Sequence, residues 1–273
     1  MQKTLQISNI LAFVFTVFLN YLSNTGAINN QTIGSVSQQV NSLFTPAGYA
    51  FSIWGLIYIL LLGFIIYQSR SLFVQVRNND FILKTGWWFV VSCVANAAWI
   101  FAWLYGFTGI SCVFIFLLLF ALLKIVCNNA MELWDAPITT IVFLWWPFVI
   151  YSGWVTVASI ANVAAYLVKI EWNGFGFLPV TWTLIMICVA TAVNLIITWR
   201  RNMREFSLVG AWALIAIAIA NKNTENLIFV SALIAAALLV ISSGIHGFKH
   251  RATNPLLKLK EYQQDRKRLK KIK

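Results

Sequence analysis

The sequence has little charge, few cysteines and only two histidines. Charged residues make up 10% of the 273 residues, whereas hydrophobic residues make up 60%. A soluble domain carries about 25% charged residues, so this chain cannot cover itself with a surface that suits water. The shortage of charge therefore excludes an ordinary soluble domain and favours a protein whose solvent is lipid.

Residues that catalyse reactions or bind metals are also scarce. Each of the four cysteines lies in an apolar stretch without a partner at zinc or redox spacing, which predicts packing roles and no metal site. All acidic residues fall in predicted loops or near the ends of apolar stretches, which argues against ion-coupled transport through a mid-membrane charge. An enzyme would depend on Glu132, Asp135, His246 or His250. Asp135 is more simply interpreted as the cap of a helix.

Apolar stretches of about 20 residues recur along the chain, the length that crosses a hydrocarbon layer about 30 Å thick. Long stretches without alternation of polar and apolar residues predict helices rather than a barrel. We therefore predict an all-α, polytopic membrane helix bundle with eight spans, near residues 7–24, 49–68, 86–105, 110–127, 138–160, 177–198, 207–221 and 226–245.

The basic residues predict the orientation of these spans. With the N-terminus in the cytoplasm, every Lys and Arg except Lys169 and Lys222 falls on the cytoplasmic side, as the positive-inside rule expects. We therefore expect a multi-pass protein of the cytoplasmic or inner membrane with both termini in the cytoplasm. The basic tail, residues 249–273, is interpreted as a contact with membrane lipids rather than with nucleic acid.

Thirteen tryptophans stand out, and several lie well inside predicted spans beside polar residues. One helical face carries Asn96, Trp99 and Trp103, and another carries Trp154, Ala158 and Asn162. Two interpretations stay open. These groups could bond to neighbouring helices and hold the bundle together. They could instead wall a pocket for a planar apolar ligand.

The order of these motifs resembles the TspO/MBR family, the tryptophan-rich sensory proteins that include the mitochondrial translocator protein. The resemblance covers roughly residues 8 to 172. Its features are Thr45-Pro46 with Phe51, Trp54 followed by Tyr58, Ala95-Asn96 with Trp99, and Trp154, Ala158 and Asn162. The family has a second proline where this chain has only Pro46.

The resemblance implies a division of the chain. Residues 1–172 would form a TspO-like five-helix core with an outward loop at 25–48, and residues 173–248 would add about three transmembrane helices. It also implies that the core binds a porphyrin, another tetrapyrrole or a sterol-like lipid, without a required cofactor. A homodimer is the assembly that the family favours.

The implied site residues fall in three groups. Ligand-binding residues would be Trp54, Tyr58, Asn96, Trp99, Trp103, Tyr151, Trp154, Ala158 and Asn162. The lid loop would contain Thr45, Pro46 and Tyr49. A sterol-contact pattern would comprise Val163, Tyr166 and Lys169.

These features favour a membrane binding or sensory protein for a planar hydrophobic ligand. A transporter or exporter of such a molecule is the first alternative. An integral-membrane enzyme acting on a lipid or tetrapyrrole is the second, and the sequence offers it no clear catalytic group.

Overall fold

The computed structural model describes residues 1–40, 42–76, 79–250 and 255–272. Arg77 and residues 251–254, which the orientation argument placed in the cytoplasm, lie outside the described residues. The described chain contains α1 (Gln2–Thr25), α2 (Ile33–Gln39), α3 (Ile53–Ser69), α4 (Asp80–Thr85), α5 (Trp88–Leu104), α6 (Thr108–Asn128), α7 (Ile138–Thr140), α8 (Trp146–Lys169), α9 (Pro179–Arg201), α10 (Arg204–Asn221), α11 (Asn226–Lys249) and α12 (Pro255–Ile272).

Apolar helices occupy all eight predicted spans. Within the described residues, seven helical segments are long and apolar enough to cross a membrane, and the eighth span, α5, is a shorter apolar helix of 17 residues. At a rise of about 1.5 Å per residue, α5 reaches the lower limit for a crossing helix. The prediction of an all-helical, polytopic membrane bundle is confirmed.

The eight spans alternate in direction, so the bundle has two distinct ends. The start of α1 and the end of α11 lie at one end, which we call the terminal end, together with the α6–α7 loop. The opposite end holds α2 and the loops that connect α5 to α6, α8 to α9 and α10 to α11. Lys169 and Lys222 belong to this opposite end.

The last three spans pack against the first five. α10 lies against α8, α9 and α11, and small residues allow its close approach. A Cβ added to Gly153 of α8 would lie 3.1 Å from the Phe206 carbonyl oxygen, and one added to Gly210 would lie 2.5 Å from Asn194 Oδ1. Helix packing therefore continues across residue 172, and the division of the chain there stays a prediction.

The entry into the fifth span differs from the sequence interpretation. The span begins at Ile138, with extended Pro137 as its cap residue, and Asp135 accepts a hydrogen bond from Lys258 instead. The interpretation of Asp135 as a cap is wrong, because the helix starts too far along the chain for its side chain to reach. A π-helical turn, Ile141–Trp145, then precedes Pro147, whose ring cannot fit a regular helical turn.

Candidate functional site

Many of the predicted pocket residues meet in a narrow cavity of about 50 Å³ between α3, α5, α6, α8 and α10. It lies toward the opposite end of the bundle, under α2 and the segment before α3. Predicted site residues that line it are Thr45, Pro46, Trp54, Trp99, Trp103, Trp154, Ala158 and Asn162. We call it the aromatic cavity.

Five aromatic residues line the cavity and pack on one another, namely Phe51, Trp54, Trp99, Trp103 and Trp154. The rings of Trp99 and Trp103 stack with centroids 6.0 Å apart and planes 18° from parallel. Trp154 packs edge-on against Trp54 at 6.4 Å and against Phe51 at 6.0 Å. Such ring pairs stabilise the bundle, yet they also leave flat faces toward the cavity.

Tyr58 and Tyr151 support the wall from behind. The Tyr58 ring stacks on Trp54 at 5.6 Å, and the Tyr151 ring meets the same indole edge-on at 5.6 Å. Neither tyrosine lines the cavity itself. Their effect on a ligand would act through the position of Trp54.

One buried amide on α8 is fully engaged with neighbouring helices. The Trp99 indole N–H donates to Asn162 Oδ1 at 2.7 Å, and Asn162 Nδ2 donates to Ser111 Oγ at 2.8 Å. These bonds join α8 to α5 and α6. Asn162 therefore stabilises the packing of these three helices, and it also lines the cavity.

Asn96 belongs to a separate chain of hydrogen bonds. Its Nδ2 donates to the Tyr151 hydroxyl at 3.1 Å, and its Oδ1 accepts from Asn20 Nδ2 of α1 at 2.7 Å. Asn96 is completely buried and does not line the cavity. The structure therefore places it between α1, α5 and α8, and its predicted ligand role stays a prediction.

Three donors around the aromatic cavity have no acceptor. They are the indole N–H groups of Trp54 and Trp154 and the hydroxyl of Tyr58, all of them buried atoms. A buried polar group without a partner costs about 1–3 kcal/mol, so such groups are rare without a reason. Their arrangement beside one apolar cavity suits a ligand that brings hydrogen-bond acceptors.

The predicted lid loop covers the cavity and is attached to α10. The Ala47 N–H donates to the Ala216 carbonyl at 3.0 Å, and the Trp212 indole donates to the Ala50 carbonyl at 3.3 Å. Asn221 Nδ2 donates to the Leu43 carbonyl at 3.0 Å. We call residues 43–50 the lid segment.

Within this segment, Thr45 and Pro46 face the cavity, whereas Tyr49 does not. The Tyr49 ring instead packs edge-on against Trp212, 5.2 Å away. Tyr49 therefore strengthens the attachment of the lid segment to α10.

The predicted sterol-contact residues tie α8 to the start of α6. Tyr166 packs over Gly109, where an added Cβ would lie 3.1 Å from the ring, and Lys169 Nζ donates to the Gly106 carbonyl. Val163 is half-buried. These contacts explain the pattern by packing, and sterol contact stays a prediction.

Contributions of three helices to the cavity escaped sequence reasoning. Ile33 and Ser37 of α2 line it, as do Ile115 and Leu118 of α6 and Ala213 of α10. The run of small residues in α10, "AWALIAIAIA", signals close packing but does not say against which helix. Trp182 and Asn194 of α9, by contrast, face away from the cavity and pack against Gly174 and Gly210.

The cavity is too small for a large planar molecule in this arrangement. Pockets for drug-sized ligands usually enclose roughly 300–1,000 Å³, several times the volume found here. The lid segment and the rings of Phe51, Trp54 and Trp154 occupy the space that such a ligand would need. Binding therefore requires these groups to move.

Comparison with known proteins adds one finding. A family model described as "TSPO-like protein" matches residues 6–245, so the match runs from α1 through most of α11. No curated protein and no solved structure matches the chain.

Proposed function

The chain belongs to the TSPO-like protein family and is thus an integral membrane protein of a sensory or binding kind, and we propose that its ligand is a planar hydrophobic molecule held in the aromatic cavity. A porphyrin or related tetrapyrrole is the ligand that we expect. A sterol-like lipid is the second ligand to test.

The observation that carries this proposal is the set of unpartnered donors beside stacked rings. Flat indole faces suit a conjugated macrocycle, and offset stacking adds about 0.5–1.5 kcal/mol beyond the burial of area. The N–H groups of Trp54 and Trp154 can then donate to carboxylate or carbonyl oxygens of the ligand. Hydrogen bonds to a charged acceptor contribute about 1.5–3 kcal/mol, which exceeds the contribution of neutral pairs.

The lid segment supplies the movement that binding requires. Its release from α10 would move Thr45 and Pro46 away from the cavity and give the rings behind them room to turn. Closure over the bound ligand would restore the bonds to Ala216 and Trp212. Entry is therefore expected to be slow compared with diffusion, because it follows an opening step.

The test is a titration of the purified protein in detergent with protoporphyrin IX, followed by quenching of tryptophan fluorescence. Trp154→Phe and Trp54→Phe each keep a ring but remove an unpartnered N–H. We expect saturable quenching, with the affinity reduced about tenfold in each variant by loss of a charge-assisted hydrogen bond.

Trp182→Phe is the matched control, because its N–H donates to the Gly174 carbonyl at 2.7 Å outside the aromatic cavity. Its affinity should equal that of the unmodified protein. Non-saturable quenching, or equal affinity in all variants, would show that the rings only pack. A sterol that competes with protoporphyrin IX would extend the ligand class, and flux across vesicle membranes would distinguish transport from binding.

A further inference from the structure

A second cavity, of about 170 Å³, lies at the terminal end of the bundle. Its walls come from the α6–α7 loop, the π-helical turn, and the ends of α10 and α11. Side chains that carry the argument are Glu132, Trp145, Arg204 and His246. None of these residues lines the aromatic cavity.

Two fully buried side chains face this cavity with polar atoms that have no partner. Trp145 is 2% exposed, and its indole N–H has no acceptor. His246 is 1% exposed, and only its Nε2 is engaged, 3.2 Å from Asn202 Oδ1. Because Nε2 must donate to this amide oxygen, Nδ1 of the neutral ring is a hydrogen-bond acceptor, and it has no partner. Buried groups of this kind normally bind water or a ligand.

The cavity contains a cation that is available to an anion. Arg204 forms no ion pair within the described residues, and its buried Nε has no acceptor. Asp135, which also lines the cavity, is already paired with Lys258 at 2.8 Å. Arg204 is the first residue of α10, and the N-terminus of a helix attracts negative charge.

The side chain of Glu132 does not repel an anion at neutral pH. Burial, together with the nearby Glu205 carboxylate, raises the pKa of Glu132 to about 8. Its carboxyl group is therefore largely protonated near pH 7 and can itself donate a hydrogen bond.

The local backbone holds these groups in place. Glu132 and Asn202 both adopt left-handed conformations, with φ of 61° and 60°, which residues other than glycine rarely adopt. Asn202 Nδ2 donates to the Glu132 carbonyl at 3.1 Å, and Asn202 Oδ1 bonds to His246. Strain of this kind often accompanies binding sites, where several contacts enforce it.

We propose that this terminal-end cavity is a binding site for a phosphate group. Donors approach it from the π-helical turn, from α10 and from the α6–α7 loop, which suits a tetrahedral anion better than a planar one. The phosphate could belong to a soluble compound or to the headgroup of an anionic phospholipid, since the cavity lies where a headgroup layer meets the bundle. The site is independent of the ligand of the aromatic cavity.

The test is isothermal titration calorimetry of the full chain in a non-ionic detergent, at constant ionic strength, with inorganic phosphate. A second arm uses short-chain phosphatidic acid. Trp145→Phe keeps an aromatic ring but removes the unpartnered N–H, and we expect it to weaken binding about tenfold. Arg204→Gln should weaken binding further.

Trp182→Phe is the matched control. Trp182 lies at the opposite end of the bundle, and its N–H donates to the Gly174 carbonyl at 2.7 Å, away from this cavity. Binding in this variant should equal that of the unmodified protein.

Saturable binding that Trp145→Phe weakens and Trp182→Phe preserves would support the site. Phosphate binding would indicate a soluble compound, and binding of phosphatidic acid alone would indicate a lipid headgroup. If neither probe binds, or if Trp145→Phe binds as tightly as the control, the proposal is wrong and the cavity holds only water. This comparison does not depend on whether Arg204→Gln folds, because both tryptophan variants keep Arg204.

Discussion

Trp54 and Trp99 both line the aromatic cavity, but only the Trp99 indole N–H has an acceptor, Asn162 Oδ1. The sequence does not distinguish the two residues, because each is a tryptophan inside a predicted span. The difference depends on whether a neighbouring helix places an acceptor within hydrogen-bonding distance of the indole N–H. It separates a tryptophan that stabilises the protein from one that is available to a ligand.

This difference predicts unequal effects of the same substitution. Trp99→Phe leaves Asn162 Oδ1 buried without its donor and should lower the free energy of unfolding by about 1–2 kcal/mol beyond the lost ring packing. Trp54→Phe loses ring packing but no hydrogen bond, so its stability without ligand should fall less than that of Trp99→Phe. Thermal unfolding of both variants in the same detergent measures this. A larger loss in Trp54→Phe would contradict the assignment.

Glu132 predicts a pH dependence of stability. Its pKa is raised from 4.5 to about 8, chiefly by burial, so between these values the folded protein keeps a proton that the unfolded chain releases. The free energy of unfolding should therefore fall as pH rises from about 5 to 8. Charged and titratable groups around Glu132 are Arg204 and Glu205 of α10, His246 of α11, His250 directly after α11, Asp135 of its own loop, and Lys258 of α12.

The measurement compares thermal unfolding at pH 5, 6.5 and 8. Glu132→Gln cannot titrate and should show a flatter profile, whereas Glu171→Gln, at an exposed position of the opposite end, should retain the slope of the unmodified protein. Equal slopes in all three proteins would mean that Glu132 ionises at its ordinary pKa.

At the scale of elements, α10 connects the last three spans to the aromatic cavity. It contributes Ala213 to the cavity wall, and its Trp212, Ala216 and Asn221 hold the lid segment. α8, with Trp154, faces α10 across the same space. Helix α10, which lies beyond residue 172, therefore helps to close the aromatic cavity.

This arrangement predicts that α10 controls the opening of the lid segment. Trp212→Phe combined with Asn221→Leu removes two of the three hydrogen bonds and should raise amide exchange across residues 43–50 several-fold, because less free energy opposes local opening. Hydrogen–deuterium exchange with mass spectrometry measures this directly. Trp199→Phe, which breaks a bond to Ser242 between α9 and α11, should leave this segment unchanged.

In this protein the hydrophobic pattern of the sequence predicts the helices well. It predicts poorly which helices contact one another. Each of the eight apolar stretches became a helix, since lipid leaves the backbone no other way to pair its polar groups. The shared face of Trp154, Ala158 and Asn162 also follows from helical geometry alone. Asn20 as the partner of Asn96, and Ala213 as part of the cavity, depend on the packing of helices distant in sequence, which no local pattern encodes.

At the scale of the whole molecule, the even number of spans places the first and last of them at one end. Lys3, Lys84, Lys124 and Arg200 lie there as well, and Lys169 and Lys222 lie at the other end. The positive-inside rule then predicts that the terminal end faces the cytoplasm.

Fusions at the C-terminus test this orientation. A green fluorescent protein fusion should fluoresce, and an alkaline phosphatase fusion should be inactive, because each reporter matures on only one side of the membrane. Fusions after Trp172, in a loop of the opposite end, should give the reverse result. Active phosphatase at the C-terminus would contradict the predicted orientation.

The packing of α10 also bears on how the protein is made. Among the seven long spans, α10 has the least apolar sequence, and neighbouring helices bury most of it. Membrane insertion selects segments by their apolarity, so α10 is expected to enter lipid weakly by itself and to depend on α8 and on the later-synthesised α11. The lid segment, made long before α10, therefore gains its attachment only when synthesis of the bundle is nearly finished. A nascent chain would pass through a stage in which α3, α5, α6 and α8 already wall the aromatic cavity while α10 and the attachment of the lid segment are missing. A ligand present during synthesis could then enter without any opening step.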